Sequence, residues 1–455
     1  MTQADIIIVG GGFAGIYSAW RLARDGMRVT LVEASDHLGG TLWSRDWNGY
    51  LVDPGTHNFD LRSPIGAEFY SDILRDDLEE TDRHDFASTT ARTVSHGFEM
   101  PDFSVDDPDL CRAALEELSR LKGSAERDPP ESLVEWFAAT YGKTLGERLV
   151  AALEKVIAAP ASDIAVEARG ALGMLTRPKI GTDREMIALK ESDPFYDARL
   201  GVTLESGDPR FAGRSVHKRF GYPSKGALRG FCISAEARLR ELGVDVLTGT
   251  KVTAIAATTS GVAVETTGAP LSGGRLFWTL PDNGLLDLLG ISIDLKAVVQ
   301  PVGSAFFAFE VPSAAIADID YLHDFSPSRR PYRYNRAGVY SGQIKEDGRT
   351  FVTAEVPSHP AQLVAVLCDA VADTVWQDIR EAGFVQPGTE VTAHTHWGYP
   401  VAFTLPRIGW RGPMEAAAAA IASTSPRLST IRFGHRGRHA FMTLYEDTLQ
   451  HELRT

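Results

Sequence analysis

Nothing constrains the fold of this chain more than its first fifteen residues, where the run Asp5-Ile-Ile-Ile-Val9 meets Gly10-Gly-Gly-Phe-Ala-Gly15. A short β-branched apolar stretch reads as a parallel strand buried on both faces. Residues 13–25 then carry apolar side chains at helical spacing, Gly26 ends that helix, and residues 28–32 read as a second strand. The glycines fit G-x-G-x-x-G at positions 10, 12 and 15. Gly10 permits a tight turn, Gly12 lets backbone approach a pyrophosphate, and Gly15 lets helix and strand pack closely. The helix N-terminus offers free N–H groups and the positive end of its dipole to phosphates. Glu33 closes the second strand, where a carboxylate suits the two hydroxyls of an adenosine ribose. Strand, glycine turn, helix and acid together point to dinucleotide binding; a glycine turn serving packing alone leaves Glu33 unexplained.

With 455 residues the chain is long enough for two or three domains. Its net charge of −14 argues against nonspecific binding to nucleic acid or to an anionic membrane surface, because both need a basic face. Cys111, Cys232 and Cys368 lie far apart and show neither metal-ligand spacing nor a disulfide framework. A reducing, cytoplasmic setting fits them. No apolar run approaches the length of a membrane span, and the start lacks a basic leader region. The sequence leaves a homodimer open.

Further along, residues 105–200 are helical in pattern. Residues 239–246 and 251–255, "GVAVETTG", "RLFWTLP" and "GSAFFAFEV" read as strands, and residues 362–383 and 415–423 as helices. The expected architecture is α/β. A Rossmann-type dinucleotide-binding domain with a parallel sheet, built from 1–90, 215–290 and 400–455, is interleaved with an α+β substrate domain. That second domain is built from 91–214, mostly helical, and 291–399, mostly sheet.

The stretch after Glu33, "EASDHLGGTLWS", carries a second glycine pair, Gly39-Gly40, for which an NAD-binding unit has no use. It resembles the FAD-binding signature shared by amine oxidases, protoporphyrinogen oxidases, phytoene desaturases and UDP-galactopyranose mutases. "YLVDPGTHNFD", "FGYPSKGALRGF" with the strand after it, and the closing "IRFGHRGRHAFMTLYEDTLQHEL" resemble other parts of that superfamily. The resemblance implies a glutathione-reductase-like FAD domain and FAD as cofactor. It places cofactor contacts at Gly10, Gly12, Phe13, Ala14, Gly15, Glu33, Ala34, Gly40, Thr41, Gly55, Thr56, His57, Val252, Gly434, Met442 and Thr443. Thr443-x-x-Glu446 matches a capping box, which predicts a helix N-terminus near Met442 and Thr443, aimed at the flavin.

His57, Tyr399 and Arg436 are the candidate catalytic residues. A neutral imidazole at His57 can hydrogen-bond cofactor or substrate, or act as a general base near neutral pH. Where many relatives carry an acid after the glycine, this chain has Gly434-His435, followed by Arg436. The run Gly303-Ser-Ala-Phe-Phe307 aligns Phe307 with the lysine that holds a water in monoamine oxidase-like enzymes, which counts against that mode of amine oxidation. His394 and His396 share one face of a strand without a third ligand at sensible spacing, so no metal is expected. "SRRPYRYNRAG" (328–338) reads as a solvated loop or as a site for an anionic substrate. These features imply an FAD-dependent oxidoreductase that moves a hydride from a small-molecule substrate. A galactopyranose-mutase-like enzyme and a nonenzymatic FAD-binding protein are the alternatives.

Overall fold

The computed structural model describes residues 4–55, 57–81, 86–122, 129–203, 220–258, 260–431 and 438–454. Two large sheets organise them. In the first, strands run in the order Asp245–Leu247, Val29–Val32, Ala4–Val9, Leu271–Trp278, Val262–Thr266, Val252–Ala257, and Leu428–Thr430 also pairs with Leu271–Trp278. The pairings among 4–9, 29–32, 245–247, the second half of 271–278 and 428–430 are parallel, as continuous apolar runs predict. Ile6, Ile8 and Leu31 face one helical layer, where Tyr17 and Trp20 of helix Phe13–Arg24 meet Phe69 of Pro64–Leu74 and Phe231 of Ala227–Glu241. Ile7 and Val9 face the opposite way, toward Asp282–Leu288 and Arg411–Thr424.

The second sheet has the order Ala393–Pro406, Val299–Pro312, Arg349–Ser358, Arg333–Asn335, Tyr321–Asp324, Phe86–Thr89, Val94–His96. Its members lie on both sides of residues 90 and 399, so the sheet crosses both of those expected boundaries. Side chains alternate along Val299–Pro312. Ala305, Phe307, Phe309 and Val311 pack under helix Asp369–Glu381, whereas Phe306 and Ala308 face Tyr50, Val52 and Trp397. Helices Pro108–Lys122 and Leu133–Ile157 build a third core that reaches the sheet through Val302, Phe325 and Leu405.

Two expected elements differ. Residues 239–241 belong to helix Ala227–Glu241, and the strand begins only at Asp245, after Gly243 at φ +83°. The helix expected over 362–383 is broken into Leu363–Val366 and Asp369–Glu381 by extended backbone at Cys368. Leu363 lies 2.8 Å from the position a Cβ would take on Gly398, so the first piece is held against the edge strand and cannot continue the axis of the second.

Candidate active site

The three glycines of the first turn do three different things. Gly10 has φ +106°, and a Cβ on it would lie 2.4 Å from the Thr279 hydroxyl, which itself donates to the Val9 carbonyl at 2.8 Å. A Cβ on Gly15 would lie 1.9 Å from the Gly10 carbonyl oxygen. A Cβ on Gly12 would meet nothing within 4 Å. Gly12 also precedes helix Phe13–Arg24 as its cap, and as a glycine it offers no side-chain acceptor to the first-turn N–H groups. Glu33 follows Val29–Val32 directly. Its Oε2 accepts from the Gly11 N–H at 2.6 Å, and its Oε1 accepts from the Ser35 N–H at 2.8 Å and hydroxyl at 2.7 Å. Its backbone is paired with Leu247 and Thr250, which brings Ala34 and the start of Val252–Ala257 to the same end of the sheet. An uncapped helix end, a glycine with free space before it and a strand-end carboxylate fit a dinucleotide.

The second glycine pair lies on the first turn. The Gly39 N–H donates to the Gly11 carbonyl at 2.8 Å, Gly39 and Gly40 both have positive φ, and Gly40 lies against the Gly12 Cα. Asp53 anchors this region from beneath. Its buried carboxylate accepts from the Ser44 hydroxyl at 2.6 Å, from the Tyr222 hydroxyl and from the Leu228 N–H at 3.3 Å. Burial pushes its pKa up to about 6, while the three hydrogen bonds oppose the rise. Two residues on, Gly55 has φ +105° and no room for a Cβ, whose position is 2.6 Å from Glu355 Oε1.

Between these loops and the second sheet lies a cavity of about 160 Å³. Thr41, Pro54 and His57 form one wall. Val302, Ser304, Phe306, Tyr399 and Phe403 form the other, and Tyr332, Arg333 and Glu355 close the polar end. His57 Nε2 lies 2.9 Å from the Pro54 carbonyl. A carbonyl only accepts, so Nε2 carries the proton and Nδ1 is the acceptor. Burial first, then the cations of Arg438 and Arg333, lower the His57 pKa to about 3. The imidazole is therefore a neutral hydrogen-bonding group at neutral pH, which corrects the expectation of a general base titrating there. Burial opposes the charge on Arg333, but Glu355 outweighs it: Oε1 accepts from Arg333 Nε at 3.1 Å and Nη2 at 2.6 Å, and Oε2 accepts from Tyr332 at 2.7 Å. The Ser304 hydroxyl is buried and has no hydrogen-bond partner among the described residues.

Some expected residues converge here and others do not. Thr41, His57 and Tyr399 line the cavity, with Gly55 behind Glu355. Thr56, Gly434 and Arg436 lie outside the described residues. The capping box does not form: Thr443 lies inside helix Arg438–Leu444, which leads into a π-helical turn at Tyr445–Leu449, so the helix does not start at Met442–Thr443. Met442 is buried with its Cε 3.7 Å from the Cβ position of Gly66. Glu446 instead accepts from Tyr17 at 2.8 Å and from Arg21 at 2.9 and 3.1 Å. The arginine stretch 328–338 is not a solvated loop. Arg329 pairs with Asp324, Arg333 with Glu355 and Arg336 with Asp318 and Asp320. His394 and His396 both approach the Asp369 carboxylate, at 3.2 and 3.5 Å. Phe307 faces the buried helix side, so the cavity-facing neighbour in that run is Phe306.

Residues 8–73 match the family model of the NAD(P)-binding Rossmann-like domain. Thiamine thiazole synthase of Aeropyrum pernix is 45% identical over 62 residues, covering 14% of this chain and 20% of that protein. Coproporphyrinogen III oxidase of Mycobacterium leprae is 28% identical over 216 residues, covering 43% and 46%. This chain thus spans less than half the length of these relatives. Two solved structures align along nearly the whole chain. Reduced UDP-galactopyranose mutase has a TM-score of 0.71 at 16% identity, covering 99% of this chain and 95% of that one. Putrescine oxidase bound to putrescine has a TM-score of 0.62 at 15% identity, covering 100% and 99%. Glycine turn, interleaved second sheet and intervening cavity define a dinucleotide-binding fold built around two large sheets. The chain shares its overall fold with these two proteins, and its residues 8–73 form a dinucleotide-binding Rossmann-like unit. Among its described residues, no helix is long and apolar enough to cross a membrane.

Proposed function

We propose that the protein is an FAD-dependent oxidoreductase acting on a small molecule held in the cavity between the two sheets. The observation that carries this reading is adjacency: Thr41, which lines the cavity, follows Gly40, and Gly40 lies against Gly12 of the glycine turn. Bound FAD supplies a two-electron acceptor, a chemistry that no side chain of the cavity provides. The chain's part is to bind and orient. First-turn N–H groups and the open face of Gly12 receive the pyrophosphate, and Glu33 accepts from the ribose hydroxyls. Phe306, Val302 and Phe403 keep water from the substrate. Tyr399, Ser304 and neutral His57 offer hydrogen bonds to it, with Nδ1 of His57 as an acceptor that stays unprotonated above about pH 3. Arg333 and Glu355 neutralise each other, so the polar end of the cavity carries no net charge from this pair.

The purified full chain should be yellow and hold FAD. Glu33→Ala should weaken FAD affinity at least about tenfold, the size expected when a charge-assisted hydrogen-bond acceptor is lost. Unchanged flavin occupancy would remove Glu33 from this role. Loss of the yellow absorbance on anaerobic addition of a candidate substrate supports the oxidoreductase. Turnover of a UDP-sugar only after dithionite reduction supports a mutase instead, and FAD inert to every candidate points to a nonenzymatic binder.

A further inference from the structure

A second cleft, of about 260 Å³, lies beside the main cavity between hairpin Arg45–Trp47/Tyr50–Val52 and the edge strand Ala393–Pro406. The hairpin register pairs Arg45 with Val52 and Trp47 with Tyr50. All four therefore share the face turned toward Trp397, against which Tyr50 and Val52 pack. Asp46, which also borders the cleft, is on the opposite face, and its carboxylate pairs with Arg229 at 2.7 Å. Thr395 is on the same face of its strand as Trp397.

Two donors in this cleft have no acceptor among the described residues, one exposed, Arg45, and one buried, Trp397. Arg45 lies over the Trp397 ring, 5.9 Å from its centroid, and no carboxylate pairs with it among the described residues. Trp397 is only 6% exposed, and its indole N–H has no acceptor among the described residues. A buried N–H without an acceptor and a guanidinium without a counter-ion are satisfied together by an anionic oxygen group, whereas a neutral ligand satisfies only the first. The cleft and the main cavity border one aromatic row. Phe306 stacks on Trp397 at 5.5 Å and meets Tyr399 edge-on at 6.0 Å. Phe306 and Tyr399 line the main cavity and Trp397 the cleft, so this row stands between the two spaces.

We propose that the cleft holds the anionic end, a carboxylate or phosphate, of the ligand whose apolar body occupies the main cavity. Arg45 supplies the charge, Trp397 the fixed N–H, and the Phe306–Tyr399 wall the contact for the apolar body. The proposal rests on the reading of the main cavity as the substrate site.

The test titrates 4-phenylbutyrate, 4-phenylbutylamine and inorganic phosphate into the full chain as purified. Isothermal titration calorimetry reads the binding, and FAD absorbance is recorded on the same samples. Phenylbutyrate should bind at least about tenfold more tightly than the amine. Arg45→Met should remove that preference, Arg45→Lys should restore most of it, and Trp397→Phe, which keeps the ring but not the N–H, should weaken the acid alone. Equal binding of acid and amine, or a preference that survives Arg45→Met, overturns the proposal. Phosphate binding as tightly as phenylbutyrate overturns the assignment to one end of a larger ligand. A chain that takes up no FAD yet keeps the Arg45-dependent preference sinks the oxidoreductase reading and leaves the cleft chemistry standing. A chain loaded with FAD that shows no preference sinks the cleft alone.

Discussion

Gly12 and Gly15 stand three positions apart and ask opposite things of a methyl group. At Gly12 the backbone is extended in a region open to any residue, and the space before it is empty of protein. Gly12→Ala should therefore leave the melting temperature of the FAD-free chain unchanged and still lower FAD affinity at least about tenfold, because the methyl occupies the pyrophosphate's approach. Gly15→Ala forces a methyl into the Gly10 carbonyl and should cost about 1–3 kcal/mol of stability in urea denaturation as well. Equal effects of the two variants on the FAD-free chain would contradict this division of labour. Both roles are legible in the sequence, because the spacing of a turn between strand and helix is local. Arg333 and Glu355 were not legible as a pair. They meet only because two strands lie in register, Arg333 opposite Glu355, and no local pattern reports that pairing.

At the scale of elements, period carries far. The alternation along Val299–Pro312 and the apolar spacing of Leu133–Ile157 identify strand and helix without tertiary knowledge. Such patterns tell which residues share a face but not which face meets a cavity, so Phe307 is the wrong neighbour and Phe306 the right one. The C-terminal segment shows a different failure. Thr443-x-x-Glu446 has the spacing of a capping box, yet the helix already starts at Arg438, and the Glu446 carboxylate reaches Tyr17 and Arg21 on helix Phe13–Arg24. Four residues decide a capping box, whereas a contact between the two ends of the chain depends on the whole fold. Glu446→Gln should cost about 1–3 kcal/mol, since it weakens three hydrogen bonds to a mostly buried charged acceptor. Urea denaturation of the full chain measures it. A cost indistinguishable from zero would reduce the contact to a surface pair.

Across the whole molecule, the helical core and the second sheet are joined by a buried charge cluster, and its behaviour with pH reports whether the two move as one. Lys155, near the end of Leu133–Ile157, donates to the carbonyls of Asp324 and Ser326 at 2.7 and 2.9 Å and lies 3.3 Å from the Asp324 carboxylate. Asp324 also accepts from Arg329, and from Tyr334 at 3.0 Å. Lys155→Met leaves Asp324 paired but strips two buried carbonyls of their donor, at a cost of about 1–3 kcal/mol at pH 7. Burial lowers the Lys155 pKa from 10.5 to about 8, although Asp324 opposes the shift. Between those values the unfolded chain still holds a proton that the folded chain has released, so folding stability from this group rises with pH from about 8 to 10.5. The wild-type protein should therefore gain on Lys155→Met across that interval and show no such drift between pH 6 and 7. Urea denaturation of both proteins from pH 6 to 10 measures the difference. A gap that stays flat across that interval would mean that Lys155 is solvated in the native state, with the helical layer free of the sheet at this point, and a gap that narrows would mean that Asp324 holds the lysine charged.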